Sequence, residues 1–296
     1  MKSDLALAVP FGYEPVLQDS PRIGAVVHIF YPEFAAEFAE ALRHLGPDAQ
    51  VMITTDTAEK RAAILDAFAG WPGDAVAVQL VANRGRDIAP KLTAFTHRYS
   101  DFDLLLFMHS KLAGSKAGQD WRENLIAGLI GSEAVVRSIR AIFEAEPRTG
   151  MVYCQHHEAA RRWTGWQKNF GTARKLATHW DLRLKRLGEI DFPSGSMFWA
   201  RPAALEPILR LGLSTDDFPE EPIKIDGTLA HAIERLFALG TEQAGYTWFK
   251  VAAPQWYTHR EAIITPHSDF ELRRFMSSNE RCLTRTMAVS PASSTE

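Results

Sequence analysis

Apolar and polar positions along this chain fall into blocks that switch between the strand period and the helix period. Ile23–Phe30 is an apolar run bounded by Pro21 and Pro32, and the segment behind it spaces Phe34, Phe38, Ala41, Leu42 and Leu45 as one helix face. Gln50–Thr55 predicts a second strand, Ala58–Phe68 a second helix and Ala75–Val81 a third strand, with short polar or Gly/Pro turns between them. Pro90–Tyr99 reads as a helix and Asp103–Met108 as a buried strand. This alternation predicts an α/β fold with a mostly parallel sheet flanked by helices.

The second half is less regular. Ser132–Phe143 predicts a helix, Gly150–Cys154 and Phe192–Ala200 strands, and Pro202–Leu211 and Thr228–Leu239 helices, the last with Leu229, Ile233, Leu236 and Phe237 on one face. Ala159–Arg186 is basic and rich in Trp, and its pattern yields no topology. Residues 1–276 are expected to form a single domain. From Ser277 to Glu296 apolar periodicity stops, and a disordered tail is expected.

Composition removes several classes. With 33 basic against 36 acidic residues and a net charge of −3, no global positive field favours nucleic acid. Cys154 and Cys282 show neither CxxC spacing nor a disulfide framework, which fits a reducing cytoplasm. Met1–Val9 is too brief for a signal peptide, and the apolar runs fall short of the ~20 residues of a membrane helix. Any membrane contact is therefore expected to be peripheral, at the inner face of the cytoplasmic membrane.

In parallel sheets ligands collect beyond the carboxyl ends of the strands. Here those ends carry Tyr31, then Thr54, Thr55 and Asp56, then Asn83, Arg84, Arg86 and Asp87, then His109 and Lys111. Asn83–Asp87 sets two guanidinium groups around Gly85 at a strand-to-helix junction, an anion cradle; the alternative is that Asp87 caps the helix and the arginines are solvated or paired. His109 and Lys111 stand two apart and can share one ligand, though strand-end His and Lys are more often structural. Trp121 and Arg122 can receive a sugar or phosphate, or pack the core. Trp163, Trp166 and Trp180 lie among Arg161, Arg162, Lys168, Arg174 and Lys175, a mixture suited to carbohydrate stacking or anionic headgroups, or simply to structural aromatics. Asp226 is a base candidate and equally an N-cap candidate; Glu220 and Glu221 lie just upstream.

Several strings taken together resemble the rhamnan synthesis protein F family: His28–Tyr31, Asn83–Pro90 (NRGRDIAP), Phe107–Lys111 (FMHSK), Trp121-Arg122, Pro193–Leu205 (PSGSMFWARPAAL) and Asp226–Phe237 (DGTLAHAIERLF). Their joint order covers most of residues 23–250. The resemblance implies assembly of rhamnose-containing cell-surface polysaccharide, and the layout looks like inverting glycosyltransferases of the GT-A, Rossmann-type fold. It implies a nucleotide-sugar-binding half at about 23–111 and an acceptor or catalytic half at about 112–276. Asp56, Asn83, Arg84, Arg86, Asp87, His109 and Lys111 would then bind the donor, Asp226 would be the catalytic base, and Trp121, Arg122, Ser196, Glu220 and Glu221 would meet acceptor or sugar. Such enzymes hold a divalent metal with an Asp-X-Asp motif; here the comparable strand ends in His109-Ser110-Lys111, so neither metal nor other cofactor is assigned. The expected partners are a nucleotide-diphosphate sugar and a glycan or lipid-linked glycan. Two other classes fit the same pocket: a non-catalytic glycan- or nucleotide-binding module, and a nucleotide-sugar-modifying enzyme.

Overall fold

The computed structural model describes residues 5–72, 75–112, 114–186, 190–257, 262–283 and 288–289. Strands β1 (Ala6–Ala8), β2 (Ile23–His28), β3 (Gln50–Thr55), β4 (Val76–Leu80), β5 (Leu104–His109) and β6 (Thr149–Cys154) are followed by the short β7 (Arg183–Leu184) and β8 (Phe198–Ala200). β9 (Thr247–Ala252), β10 (Ile263–Ile264) and β11 (Ala288–Val289) complete the set. Nine of these form one sheet in the order β10-β1-β9-β6-β8-β5-β2-β3-β4, and β7 pairs with β11 apart from it. Neighbours run parallel except at β8, which is antiparallel to both β5 and β6.

The expected α/β class and mostly parallel sheet are thus present, with one reversed strand at the centre. All three residues of β8 are fully buried, and Phe198 lies opposite Phe107 on one side and Tyr153 on the other. Strand β5 is buried from Leu104 to Met108, as a strand covered on both faces must be. Gly24 in β2 has its own reason: a Cβ there would stand 2.9 Å from the Phe102 ring.

Helices α1 (Ala35–Leu42), α2 (Ala58–Ala67), α3 (Ile88–Thr93), α4 (Lys116–Ile130), α5 (Glu133–Ala145) and α6 (Glu158–Arg161) precede α7 (Phe170–Ala177), α8 (Glu206–Leu209), α9 (Leu229–Glu234), α10 (Phe237–Gln243) and α11 (Asp269–Leu283). Thr57, Ser115 and Ser132 cap α2, α4 and α5 by accepting backbone N–H groups two or three residues into the helix. On α5, Val135, Val136, Ile139, Ile142 and Phe143 form the buried stripe that its spacing predicts. One contiguous apolar core runs from Leu7 to Met276.

Four expectations change. Phe192–Ala200 is a strand only from Phe198, because Gly195 and Ser196 take positive φ (87° and 60°) and turn the chain. Pro90–Tyr99 divides into α3 and a 3-10 turn at Thr96–Asp101. Thr228–Leu239 divides into α9 and α10, where Leu236 donates its N–H to Ile233 three residues back and tightens the chain. Finally, α11 extends to Leu283, beyond Ser277 where disorder was expected to begin; 284–287 and 290–296 lie outside the described residues. The sequence pattern does not predict β1, β7, β9, β10 or β11, nor α4, α6, α7 or α11.

Candidate active site

The carboxyl ends of β2, β3 and β5 stand side by side, with His28 registered against Thr54 on one side and His109 on the other. His28 Nδ1 lies 2.9 Å from Thr54 Oγ1, and burial pushes the imidazole down to about 4, so it is neutral. Ser110 Oγ accepts the amides of Phe30 and Tyr31 at 2.9 and 3.0 Å, tying the end of β5 to the end of β2. The floor of the site is therefore built from neighbouring strand ends. A surface cleft of about 740 Å³ lies at the opposite, amino-terminal edge of these strands, against residues 14–20 and 44–47, away from this chemistry.

The loop 83–87 separates its charges. Arg84 is structural: its guanidinium donates to the Phe218 carbonyl (2.9 Å) and to Glu220 (2.6 Å), and its backbone bridges to Glu220. Gly85 and Arg86 both take left-handed φ (62° and 55°), and a Cβ at Gly85 would strike the Phe218 ring. Arg86 is left exposed, with a long 3.4 Å bond to the Lys224 carbonyl. Asn83 is also exposed, and its carbonyl accepts the Glu221 amide. Asp87 turns inward, and α3 has no side-chain cap. Burial would raise its carboxyl, but His109, Lys91, the Ser196 hydroxyl and His28 overcome this and hold it well below the usual carboxylate range.

At the end of β5, His109 points one ring nitrogen at the Gly195 carbonyl (2.8 Å) and the other at the Ser110 carbonyl (3.1 Å). Lys111 lays its ammonium 3.0 Å over the Trp121 ring. Burial pushes Lys111 down to about 8, against the pull of Glu234 and Asp87. Asp56 is paired at 2.6 Å with Lys60, whose ammonium also sits 3.5 Å from the centre of the Phe30 ring. Arg122 leaves the site altogether: it pairs with Glu37 and covers Phe34, joining α4 to α1.

On the far side, Asp226 does not cap α9, whose N-cap is Thr228. Its carboxylate accepts Asn169 Nδ2 (2.6 Å) and the Lys168 amide (3.1 Å), with Arg235 at 3.8 Å. Partial burial raises this carboxyl, and the Asn169 and Lys168 bonds with Arg235 more than offset it, so the group is held low. Glu220 is exposed and committed to Arg84, and Glu221 accepts the Ile223 amide at 2.8 Å. The Ser196 side chain is taken by Lys91, so its hydroxyl faces the interior and not a ligand. Of the Trp-rich segment, Trp166 is buried and donates to the Lys185 carbonyl, Trp180 donates to the Pro207 carbonyl, and Trp163 stays exposed.

Two charged residues escaped the sequence reading. Lys91 and Glu234 both hold the turn at 193–196, Glu234 by accepting the Gly195 amide at 2.9 Å. A lysine within the apolar IAPKLTAF, four residues after Asp87, was the available signal, since an unpaired lysine is almost never buried. Glu234 gave none, as its place depends on where α9 crosses the turn. Among the described residues, no group of three or more His, Cys, Asp or Glu side chains is placed to hold a metal, and no helix is long and apolar enough to cross a membrane.

The uncharacterized protein WxcX of Xanthomonas campestris pv. campestris, strain B100, is 31% identical over 236 residues, which is 77% of this chain. WxcX of strain ATCC 33913 matches to the same extent. The chain spans about a third (32%) of the length of these relatives. The family model for rhamnan synthesis protein F matches residues 12–246, which takes in the strand ends, the 83–87 loop, the 193–196 turn and α9. The chain therefore belongs to the rhamnan synthesis protein F family.

Proposed function

We propose that the chain is a glycosyltransferase that moves a deoxyhexose, rhamnose in the first instance, from a nucleotide-diphosphate donor to a hydroxyl of a growing cell-surface glycan, with inversion. Family membership ties it to rhamnan and polysaccharide synthesis. The observation that carries the finer reading is the pair of cations at the carboxyl edge of the sheet: exposed Arg86 on a left-handed turn, and Lys111 held over Trp121. Fixed cations beside such a left-handed turn suit a diphosphate. A GT-A-like donor site at this edge is consistent with ligand placement in parallel sheets.

In this reading the acceptor oxygen attacks the anomeric carbon, and the bond from that carbon to the diphosphate breaks with its electron pair leaving on phosphate. Arg86 and Lys111 meet that charge, which is where preorganised electrostatics contribute most. Asp226 takes the acceptor proton; it is ionised at neutral pH, and its two hydrogen bonds leave lone pairs on both oxygens. Its lowered pKa weakens it as a base, so its contribution belongs at the low end of the usual range. A divalent metal does not fit the donor set: Lys111 stands where a carboxylate would be needed, and the Asp87 carboxylate is bound to Lys91. No step is assigned to one.

Product analysis tests the proposal. Nucleotide sugars incubated alone, and then with a rhamno-oligosaccharide, should give elongated glycan only in the second case. Binding without turnover would mark a non-catalytic module, and conversion of the sugar without acceptor a donor-modifying enzyme.

A further inference from the structure

Lys91 lies on α3, buried, with its ammonium 5.7, 5.1 and 5.5 Å from the ring centres of Phe107, Phe198 and Phe237. Its polar partners are the Ser196 carbonyl and hydroxyl oxygens, both at 2.6 Å, and Asp87 at 3.2 Å. The Lys91 ammonium thus ties the Asp87 carboxylate to Ser196. Burying an ion pair commonly costs as much in desolvation as its attraction returns, and well-packed apolar replacements are often as stable. Stability is therefore a poor account of this arrangement.

What this lysine holds is a strained piece of backbone. Ser196 has φ 60°, a left-handed conformation that costs energy for a residue with a side chain, and such strain persists only where its surroundings over-determine it. The adjoining Gly195 is pinned by His109 on its carbonyl and by Glu234 on its amide. Gly195 abuts Trp121: an added Cβ would lie 3.2 Å from the indole. The Lys111 ammonium rests on that same indole. An unbroken series of contacts runs from α3 through the turn and Trp121 to the cation.

We propose that Lys91 is a positioning residue, which through Ser196, Gly195 and Trp121 sets the place of the Lys111 ammonium toward the donor diphosphate. This rests on the reading in which Lys111 binds that diphosphate. It also accounts for a charged residue joining the two sides of the site: Lys91 ties the helix that follows loop 83–87 to the turn that backs the cation.

The test uses wild type, Lys91→Met, the double variant Asp87→Asn/Lys91→Met and Ser196→Gly, each measured for melting temperature and for affinity toward UDP, GDP, dTDP and the matching nucleosides. Lys91→Met alone strands the Asp87 charge and should melt earlier; the double variant removes both charges and should recover. The expected result is that the recovered double variant binds the preferred diphosphate about tenfold more weakly, as lost supporting contacts typically do, with nucleoside affinity unchanged. Ser196→Gly suits the left-handed backbone, removes the hydroxyl, and should show the same selective loss even if the double variant does not recover. Wild-type diphosphate affinity in the double variant or in Ser196→Gly would overturn the positioning role. If wild type itself binds none of the diphosphates, the donor-site reading fails first and the inference falls with it.

Discussion

Loop 83–87 and the segment from Asp226 to Arg235 are neighbours, with Arg86 reaching the Lys224 carbonyl, yet they use their charges differently. In the first, Arg84 is consumed by Phe218 and Glu220, while Arg86, two residues on, projects from a left-handed turn. In the second, Asp226 is anchored to Asn169 and Lys168, while Glu234 secures the Gly195 amide. The difference lies in exposure. The first loop leaves a whole cation for a ligand, whereas the second leaves only the unused lone pairs of a partly buried carboxylate. Like residues on one loop thus acquire unlike roles through backbone handedness.

Asp226→Asn should lower transfer by about 10²-fold, the low end for a general base, with donor affinity retained. An amide still has an oxygen for the Lys168 N–H but faces Asn169 less well, so turnover must be read beside the melting temperature of the same sample. A rate loss that only follows unfolding would make Asp226 a tether for the 167–169 turn.

A sharper contrast comes from the two arginines. Arg86→Ala should weaken diphosphate binding by ~2 kcal/mol while leaving the fold intact, because a charged contact to phosphate is lost and little packing goes with it. Arg84→Ala should do the reverse, costing ~1 kcal/mol of stability through the abandoned Phe218 carbonyl. Calorimetric titration and denaturant melts on both variants separate them; equal effects would mean that the loop does not divide its charges.

The smallest effect is set by pH. Lys111 titrates at about 8 in the free protein, so its ammonium is intact below that value and is lost as pH rises through it. Diphosphate affinity should hold between pH 6 and 7.5 and then fall by at most about tenfold per pH unit, while nucleoside affinity stays level. Lys111→Arg, which does not titrate in this range, should flatten the profile.

The chain alone determined the alternation of strands and helices in the first half, because burial on both faces demands the continuous apolar runs at β2, β3 and β5, and turns demand Gly, Pro or polar residues between them. It also marked which strand ends carry charge, and the motif order that identifies the family. It did not reveal the reversed β8, since three buried residues have no periodicity to read, nor the break between α9 and α10. Above all, local spacing could not tell Arg84 from Arg86, or show that Asp87 and Ser196 face inward to Lys91, 105 residues from Ser196 along the chain. Those outcomes depend on left-handed backbone at residues 85–86 and 195–196, and on which partner each charge meets when distant segments close over one core; only tertiary packing supplies that partner.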